Sequence, residues 1–230
     1  MSDEAILEAL PCGLIHDSAV TIERLLVPPG WEEGWKDHFH PLTLGRLYIR
    51  APWEPRPTDI DLLDVVLTPG LAFGTGLHAT TRAVLLLMQR GETAGPVVDA
   101  GTGSGILSIA AARLGYRPVR AFDNDPLAVE AARANAVDNG VEVEVALHDV
   151  LGAPATWFAG ATVFANITAN PVITLLTRLG GLKAPVARVL ASGILAGEQE
   201  ALVTAAAERA AFRVSSRRQD GEWVGLELSP

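Results

Sequence analysis

Apolar runs and alanine-rich amphipathic stretches alternate along most of this 230-residue chain. Short apolar runs bounded by glycine or polar residues are typical of buried strands, and apolar residues at helical spacing indicate helices. The predicted strands are Val65–Leu67, a run from Val97 into Asp99, Val119–Phe122, 141–147, 161–166 and Arg188–Ser192, the last ended by a turn at Gly193. The predicted helices are Thr80–Arg90, an alanine-rich helix after Gly105, a helix from Pro126 to a stop at Gly140, and Glu198–Arg209. This alternation predicts an α/β fold with a parallel sheet.

The two ends of the chain depart from the alternation. Phe212–Arg217 and Trp223–Leu228, joined by an Asp-Gly turn signal, predict a closing antiparallel hairpin. Residues 44–53 predict an edge strand, which prolines at positions 52, 55 and 57 terminate. Before it, residues 31–39 predict a short helix with Trp31, Trp35 and Phe39 on one face, and residues 1–30 carry little pattern. We therefore predict an N-terminal segment with a linker helix over residues 1–50 and a main domain over 51–230.

The most specific local pattern is VVDAGTGSGIL at 97–107, a strand followed by glycines at 101, 103 and 105 and then a helix. Glycines at this spacing leave backbone N–H groups uncovered, so that a ligand can approach the turn closely. A dinucleotide turn has the spacing G-x-G-x-x-G, but here the spacing is D-x-G-x-G-x-G and Asp99 precedes the glycines. An acidic residue at that place favours a cationic ligand over a pyrophosphate. The pattern predicts S-adenosylmethionine rather than NAD, with Asp99, Gly101 and Gly103 as contacts; glycines that only shape a turn are the alternative.

A second acidic position supports this prediction. Asp123 follows the next strand, where related sheets place a carboxylate against ribose hydroxyls, and Asn124 beside it is a further candidate contact. Asp125 is a predicted helix N-cap, with Pro126 at the first helical position.

Two further strands end in polar residues that can face the same ligand, since ligands bind at the carboxyl ends of parallel strands. His148 and Asp149 follow one strand, and Asp149 is placed to accept a hydrogen bond from an adenine amino group or, equally, to cap the next segment. Asn166 ends the next strand, and we predict that it faces the transferred methyl group and is the catalytic residue.

The loop TPGLAFGTGLHATTR at 68–82 combines three glycines with apolar residues, as in a segment that closes over a ligand. Thr80 or Thr81 can offer a hydroxyl near the start of the helix that follows, and Thr75 and Thr81 are the candidate cofactor contacts. A plain strand-to-helix connection with a threonine cap is the alternative. His78 is a candidate base with a neutral form near pH 7, but we favour a role in fixing the loop.

Composition narrows the class of protein. The chain is 49% hydrophobic and contains neither an apolar run of membrane-spanning length nor a secretory leader pattern, so we expect a cytoplasmic enzyme without a membrane partner. One cysteine, Cys12, excludes an internal disulfide, and the histidine spacing predicts no metal site; His16, His38, His40 and His148 are interpreted as surface or packing residues. A net charge of -9 argues against direct nucleic-acid binding. It suits a basic protein substrate, or it serves solubility alone.

Seven segments of the chain, from about Trp31 onward, resemble the ribosomal protein L11 methyltransferases of the PrmA type. These segments are WEEGWKDHFHP, LAFGTGLHATTR, VVDAGTGSGIL, AFDNDP, FANITA, SGILA and EWVGLEL. The resemblance implies a Rossmann-like, seven-stranded class I methyltransferase sheet with helices on both faces and an antiparallel last strand. It implies a methyltransferase domain over 51–230 and family contacts to S-adenosylmethionine at Thr81, Gly101, Asp123 and Asn166. Family members trimethylate amino groups of a large-subunit ribosomal protein.

The N-terminal region departs from the family pattern. Family enzymes carry a ferredoxin-like substrate-recognition domain before the linker, whereas about thirty residues precede Trp31 here. We expect this shortened region either to dock the same ribosomal protein or to belong to a relative with another acceptor. The oligomeric state is left open.

The reaction implied is transfer of a methyl group to a lysine or N-terminal amine, for which alignment of the amine lone pair matters more than strong acid or base catalysis. We expect Asn166 and nearby carbonyls to orient that amine. The alternatives are a methyltransferase of the same fold acting on another protein, a small molecule or a nucleic acid, a non-catalytic cofactor-binding module, and, more remotely, a hydride-transferring oxidoreductase. Asn-Ile-Thr-Ala at 166–169 lacks the aromatic residue that would stack on a flipped adenine.

Overall fold

The computed structural model describes residues 40–56, 61–68, 78–91 and 94–230, which form a seven-stranded and a three-stranded sheet with helices. The strands are β1 (Leu42–Leu44), β2 (Leu47–Arg50), β3 (Leu63–Val66), β4 (Val97–Ala100), β5 (Val119–Asp123), β6 (Glu144–Leu147), β7 (Thr162–Asn166), β8 (Arg188–Leu195), β9 (Arg213–Asp220) and β10 (Trp223–Ser229). The helices are α1 (Ala79–Leu87), α2 (Ile106–Leu114), α3 (Pro126–Asp138), α4 (Ala169–Gly180) and α5 (Glu198–Arg209), with a 3₁₀ turn at Ala155–Trp157.

The larger sheet has the strand order β6-β5-β4-β7-β8-β10-β9. Pairs from β6 to β8 are parallel, and β10 is antiparallel to both of its neighbours, β8 and β9. The chain runs outward from β4 to β6 on one side and from β7 onward on the other, so the strand order reverses between β4 and β7. The predicted seven-stranded α/β sheet with an antiparallel last strand is confirmed.

Helices cover both faces of this sheet because successive strand residues point to opposite sides. Val98 and Val163 belong to a buried cluster with residues of α4 and α5. Val97 and Phe164, each one position away, belong to a second cluster with residues of α1 and α2. The strands in the middle of the sheet are therefore apolar on both sides, which explains their continuous apolar runs.

The smaller sheet corrects one prediction. Residues 44–53 do not form a single edge strand, because Gly45 adopts a left-handed turn (φ 58°) between β1 and β2. Strand β2 then pairs in parallel with β3 and lies at the centre of the order β1-β2-β3. The predicted division at residue 50 falls between β2 and β3, and the two-part organisation of the chain stays a prediction.

A second correction concerns Gly193, which was predicted to end its strand in a turn. Strand β8 pairs with β7 as far as Ser192 and continues through Gly193 to Leu195, where it pairs with Trp223 of β10. Gly193 has φ 82°, and the register of β8 against β10 shifts beside it, between Val224 and Leu226. The glycine therefore marks an irregularity within a strand, which long-range pairing with β10 extends.

Several local predictions are confirmed. Helix α3 begins at Pro126 with Asp125 as its N-cap, whose carboxylate accepts from the N–H of Leu127, and Gly140 takes a left-handed conformation after its end. Helix α5 has the predicted bounds, and β9 and β10 form the predicted hairpin. Helix α1 is shorter than expected and ends at Leu87.

Other predictions fall outside the described residues. These are the helix carrying Trp31, Trp35 and Phe39, and most of the glycine-containing loop, residues 69–77. Within the described ranges, no helix has the length and apolar character needed to cross a membrane.

Candidate active site

A cavity of about 700 Å³ lies at the carboxyl ends of the parallel strands and spans the point where the strand order reverses. Open α/β sheets bind their ligands at this place. The volume suits a nucleoside-sized ligand. Its described lining residues are His78, Thr80, Gly101, Thr102, Gly103, Ile106, Leu107, Phe122, Asp123, Asn124, His148, Asp149, Val150, Asn166, Ile167, Thr168, Pro171, Gly193 and Trp223.

The glycine turn (residues 101–105) forms the floor of the cavity between β4 and α2. The N–H groups of Gly101 and Thr102 both donate to the carbonyl of Phe122, 2.9 and 3.0 Å away, so the turn is fixed to the end of β5. Gly101 has φ 74°, and a Cβ built on it would lie 2.3 Å from Cγ2 of Ile167. No side chain fits there, which keeps the backbone of the turn open to the cavity.

Asp123 is held rigidly at the cavity wall. One carboxylate oxygen accepts from the N–H of Gly103 at 2.9 Å, and the other accepts from the N–H of Asp125 at 3.1 Å. Each oxygen can accept a further hydrogen bond, so a ligand with hydroxyl donors can bind to a carboxylate whose direction is already set. Asn124 lies beside it, exposed and on the cavity lining.

Asp99 lies behind the cavity lining. It is fully buried, and one of its carboxylate oxygens accepts from the hydroxyls of Thr102 and Ser108, each at 2.7 Å. Burial raises the pKa of the Asp99 carboxyl to about 6, opposed by these hydrogen bonds and assisted by repulsion from Asp123. Asp99 thus stabilises the glycine turn through Thr102 and the start of α2 through Ser108. Its direct contact with a cofactor stays a prediction.

The end of the cavity beyond β6 contains His148 and Asp149. One oxygen of Asp149 accepts from the N–H groups of Leu151 and Gly152, at 2.9 and 2.6 Å. The capping role is therefore observed, while contact with an adenine amino group stays a prediction. His148 lines the cavity and packs edge-on against Trp157, with ring centroids 5.9 Å apart.

Asn166 lies at the end of β7, where the cavity passes from one half of the sheet to the other. Its amide nitrogen donates to the hydroxyl of Thr81 at 3.1 Å. Its amide oxygen is buried and accepts no hydrogen bond from the described part of the chain. Thr81 is fully buried in α1 and is not among the lining residues, whereas its neighbour Thr80 is. The geometry gives Thr81 contact with Asn166, and its predicted contact with a cofactor stays untested.

The far end of the cavity is formed by α1, β8 and β10. His78 caps the N-terminus of α1 and its Nδ1 lies 2.8 Å from the hydroxyl of Thr80. The ring of His78 also packs edge-on against Trp223, with centroids 5.1 Å apart. These contacts agree with the interpretation of His78 as a fixing residue.

Several lining residues were not predicted from the sequence. Ile167 and Thr168 could have been found, since they directly follow Asn166, and His148 directly precedes Asp149. Trp223 gave no local signal, because it reaches the cavity only through the insertion of β10 beside β8. Thr75 lies outside the described residues.

The residues present fit S-adenosylmethionine. The glycine turn offers uncovered backbone, Asp123 offers a fixed acceptor for hydroxyls, and Asp149 offers a second carboxylate on the same side of the cavity. The remaining lining, around Asn166 and Trp223, faces the same cavity.

A sequence model of the ribosomal protein L11 methyltransferase (PrmA) family matches residues 7–229. The chain belongs to the PrmA family. This confirms the resemblance inferred from the seven sequence segments.

Relatives in the PrmA family are about 40% identical to this chain. The ribosomal protein L11 methyltransferase of Symbiobacterium thermophilum is 41% identical over 198 residues, covering 85% of this chain and 64% of that protein. That of Pelotomaculum thermopropionicum is 39% identical over 228 residues, covering 92% of this chain and 73% of that protein. The chain thus spans slightly less than two thirds of the length of several curated PrmA relatives.

A solved structure of a PrmA-family protein supports the fold. The ribosomal protein L11 methylase of Lactobacillus delbrueckii subsp. bulgaricus superimposes with a TM-score of 0.74 at 32% identity, covering 83% of this chain and 98% of that one. A putative RNA methyltransferase of Pyrococcus horikoshii, 19% identical, has a TM-score of 0.51 over 66% of this chain and 82% of that one and shares the fold alone.

Proposed function

We propose that this chain is an S-adenosylmethionine-dependent protein N-methyltransferase whose substrate is ribosomal protein L11, modified on lysine or N-terminal amino groups. The observation that carries this proposal is a single cavity that joins the glycine turn and Asp123 to Asn166 across the reversal of strand order. Membership of the PrmA family supports the choice of substrate.

The half of the cavity at β4, β5 and β6 would hold the cofactor. S-adenosylmethionine, when bound, supplies a methyl group on a sulfonium, ready for transfer to a nucleophile. Gly101 and Gly103 would present backbone to it, and Asp123 would accept from its ribose hydroxyls. Asn124 and Asp149 would bind at the nucleoside end.

The half at β7, β8 and β10 would hold the acceptor amine. Asn166 is suited to orienting that amine, because its amide oxygen has no hydrogen-bond partner among the residues that the structure describes and can accept from an amine N–H. One N–H of the amide donates to the hydroxyl of Thr81, which leaves the amide oxygen for the substrate. Orientation of this kind aligns the lone pair with the transferred carbon.

This half is also suited to an uncharged amine. A lysine with pKa near 10.4 is protonated at pH 7, and removing the proton costs about 4.6 kcal/mol. The lining residues that the structure describes here include no carboxylate; they are His78, Thr80, Asn166, Ile167, Thr168, Pro171, Gly193 and Trp223. Without an anionic partner, desolvation lowers the pKa of a bound lysine and favours the neutral nucleophile.

The charge of the chain supports a basic protein partner. At a net charge of -9, long-range attraction favours encounter with a cationic protein and disfavours nucleic acid or an anionic membrane surface. A ribosomal protein substrate would be met in the cytoplasm.

The test is methyl transfer from labelled S-adenosylmethionine to purified ribosomal protein L11 of the same organism, followed by intact mass. We expect mass gains in steps of one methyl group, lost in Asp123→Ala. If the chain binds S-adenosylmethionine but L11 gains no mass, the substrate assignment is refuted, and labelling of a cell lysate then distinguishes another protein or a small molecule. Failure to bind S-adenosylmethionine refutes the proposed function as a whole.

A further inference from the structure

Two buried asparagines at the end of α3 bond to the chain in and just after β3, and one of them also bonds to the glycine turn. Asn135 lies in the last turns of α3 and Asn139 is its C-cap, so the two are four residues apart and share a helix face. Each is only 4% exposed. A buried amide is stabilising only when its polar atoms are paired, and the pairing differs between these two residues.

Asn135 bonds in two directions. Its amide nitrogen donates to the carbonyl of Ser104, within the glycine turn, at 2.8 Å. Its amide oxygen accepts from the N–H of Thr68, just after β3, at 3.3 Å. One side chain thus connects the glycine turn to the chain that leaves the smaller sheet.

Asn139 bonds to the smaller sheet and to its own helix. Its amide accepts from the N–H of Val66 at 2.8 Å and donates to the carbonyl of the same residue at 2.6 Å, as a neighbouring strand would. It also donates to the backbone carbonyl of Asn135 at 2.7 Å. Asn139 therefore shares the helix, the burial and the smaller-sheet contact of Asn135, but not the contact with the glycine turn.

Helix α3 lies directly against that turn. A Cβ built on Gly105 would be 3.1 Å from Cα and Cβ of Ala132, one helical turn before Asn135. Just before α3, Asp123 accepts from the N–H of Gly103. The glycine turn is thus attached to the α3 region at two points, Gly103 and Ser104, and only the first faces the cavity.

We propose that Asn135 is a positioning residue for cofactor binding: it holds the glycine turn through Ser104 in the geometry that the ligand meets. Asn135 is not among the cavity-lining residues, so it acts through the turn. Without this bond, the backbone N–H groups of residues 101–105 sample more conformations, and binding must then order them. The inference rests on the proposed use of S-adenosylmethionine.

The experiment compares Asn135→Ala with Asn139→Ala in the full chain. Alanine favours helix and introduces no overlap, so both variants are expected to fold. Titration calorimetry at a temperature well below the unfolding midpoint should show that Asn135→Ala binds S-adenosylmethionine about tenfold more weakly than the parent. Asn139→Ala should lower the midpoint yet bind within about twofold of the parent. Affinities of Asn135→Ala and parent that agree within twofold would overturn the inference.

A second measurement needs no cofactor. Amide hydrogen exchange of residues 101–105 should be faster in Asn135→Ala than in the parent or in Asn139→Ala. Equal exchange in all three proteins would overturn the inference. Should Asn135→Ala not fold, Asn135→Ser gives the same two readouts. If the parent does not bind S-adenosylmethionine, the proposed function fails first and this inference falls with it; loss of binding confined to the Asn135 variants is the expected result.

Discussion

Replacing Gly193 by alanine should lower methyl transfer much more than it lowers cofactor binding. Gly193 has φ 82°, and a Cβ added to it would lie 2.4 Å from the carbonyl oxygen of Ile167 and 2.9 Å from the carbonyl carbon. These are backbone atoms of the residue after Asn166, so no rotamer change relieves the overlap. Ordinary contact would require a shift of about 1 Å, which can reduce turnover about a hundredfold when it displaces a reacting group.

The same substitution also strains β8. A non-glycine residue in a sparsely populated backbone region costs of order 1–3 kcal/mol, and forcing atoms into packed structure costs a similar amount. We therefore expect a lower unfolding midpoint as well as lower turnover. The affinity for S-adenosylmethionine should fall less than turnover, because Asp123 lies on the other side of Asn166 and only the Ile167 side chain reaches the glycine turn, at Gly101.

A matched control separates strain from displacement. Gly197 has φ 90°, yet a Cβ added there meets nothing within 4 Å. Gly197→Ala should therefore lose stability but keep turnover. Turnover would be measured with L11 and labelled S-adenosylmethionine, affinity by calorimetry, and stability by denaturant unfolding. If the turnover of Gly193→Ala stays within about threefold of that of Gly197→Ala, then displacing the Ile167 backbone does not displace Asn166, and the reasoning is wrong.

Three further predictions follow from the site. Asp99 has a pKa of about 6 in the folded protein against an ordinary 3.8, so its contribution to stability is complete below pH 3.8 and falls by about 3 kcal/mol as the pH rises past 6. Asp99→Asn should flatten the dependence of the unfolding free energy on pH between 4 and 7, and an unchanged slope would contradict this. Thr81→Val removes the hydroxyl that holds Asn166, and we expect roughly tenfold lower kcat with unchanged affinity for S-adenosylmethionine. Thr81→Ser keeps the hydroxyl and should keep most activity. A loss of affinity in Thr81→Val would instead favour direct contact between Thr81 and the cofactor. Asn166→Ala should lower turnover more than the affinity for S-adenosylmethionine, and Asp123→Ala should chiefly lower that affinity. Calorimetry and turnover assays measure the two effects, and equal losses of both in either variant would refute the division of roles.

The parts of the site that could be predicted are those encoded by adjacent residues. Glycines at 101, 103 and 105 demand a turn with left-handed conformations, and the pair Asp125-Pro126 starts a helix, whatever surrounds them. The positions of Asp123 and Asn166 followed from the rule that ligands meet the carboxyl ends of strands.

The remaining features depend on contacts between distant segments. Which of Thr80 and Thr81 reaches the cavity depends on how α1 packs on the sheet, and neighbouring helical residues point about 100° apart. Gly193 looks locally like a turn, but pairing with β10 carries β8 past it. The sequence of β2 is typical of an edge strand, but β3, which follows a proline-rich stretch, pairs with it and makes it a central strand.

The placement of β10 between β8 and β9 has a consequence for synthesis. The ribosome delivers β9 before β10, yet among the described strands β9 pairs only with β10, and β8 has no partner on that side until β10 arrives. The strands that carry the glycine turn, Asp123 and Asn166 are by then complete, whereas Trp223 and the wall beside it are still missing. We therefore expect the cofactor half of the cavity to be able to form first, with the outer edge of β8 and the whole of β9 unpaired until the hairpin closes.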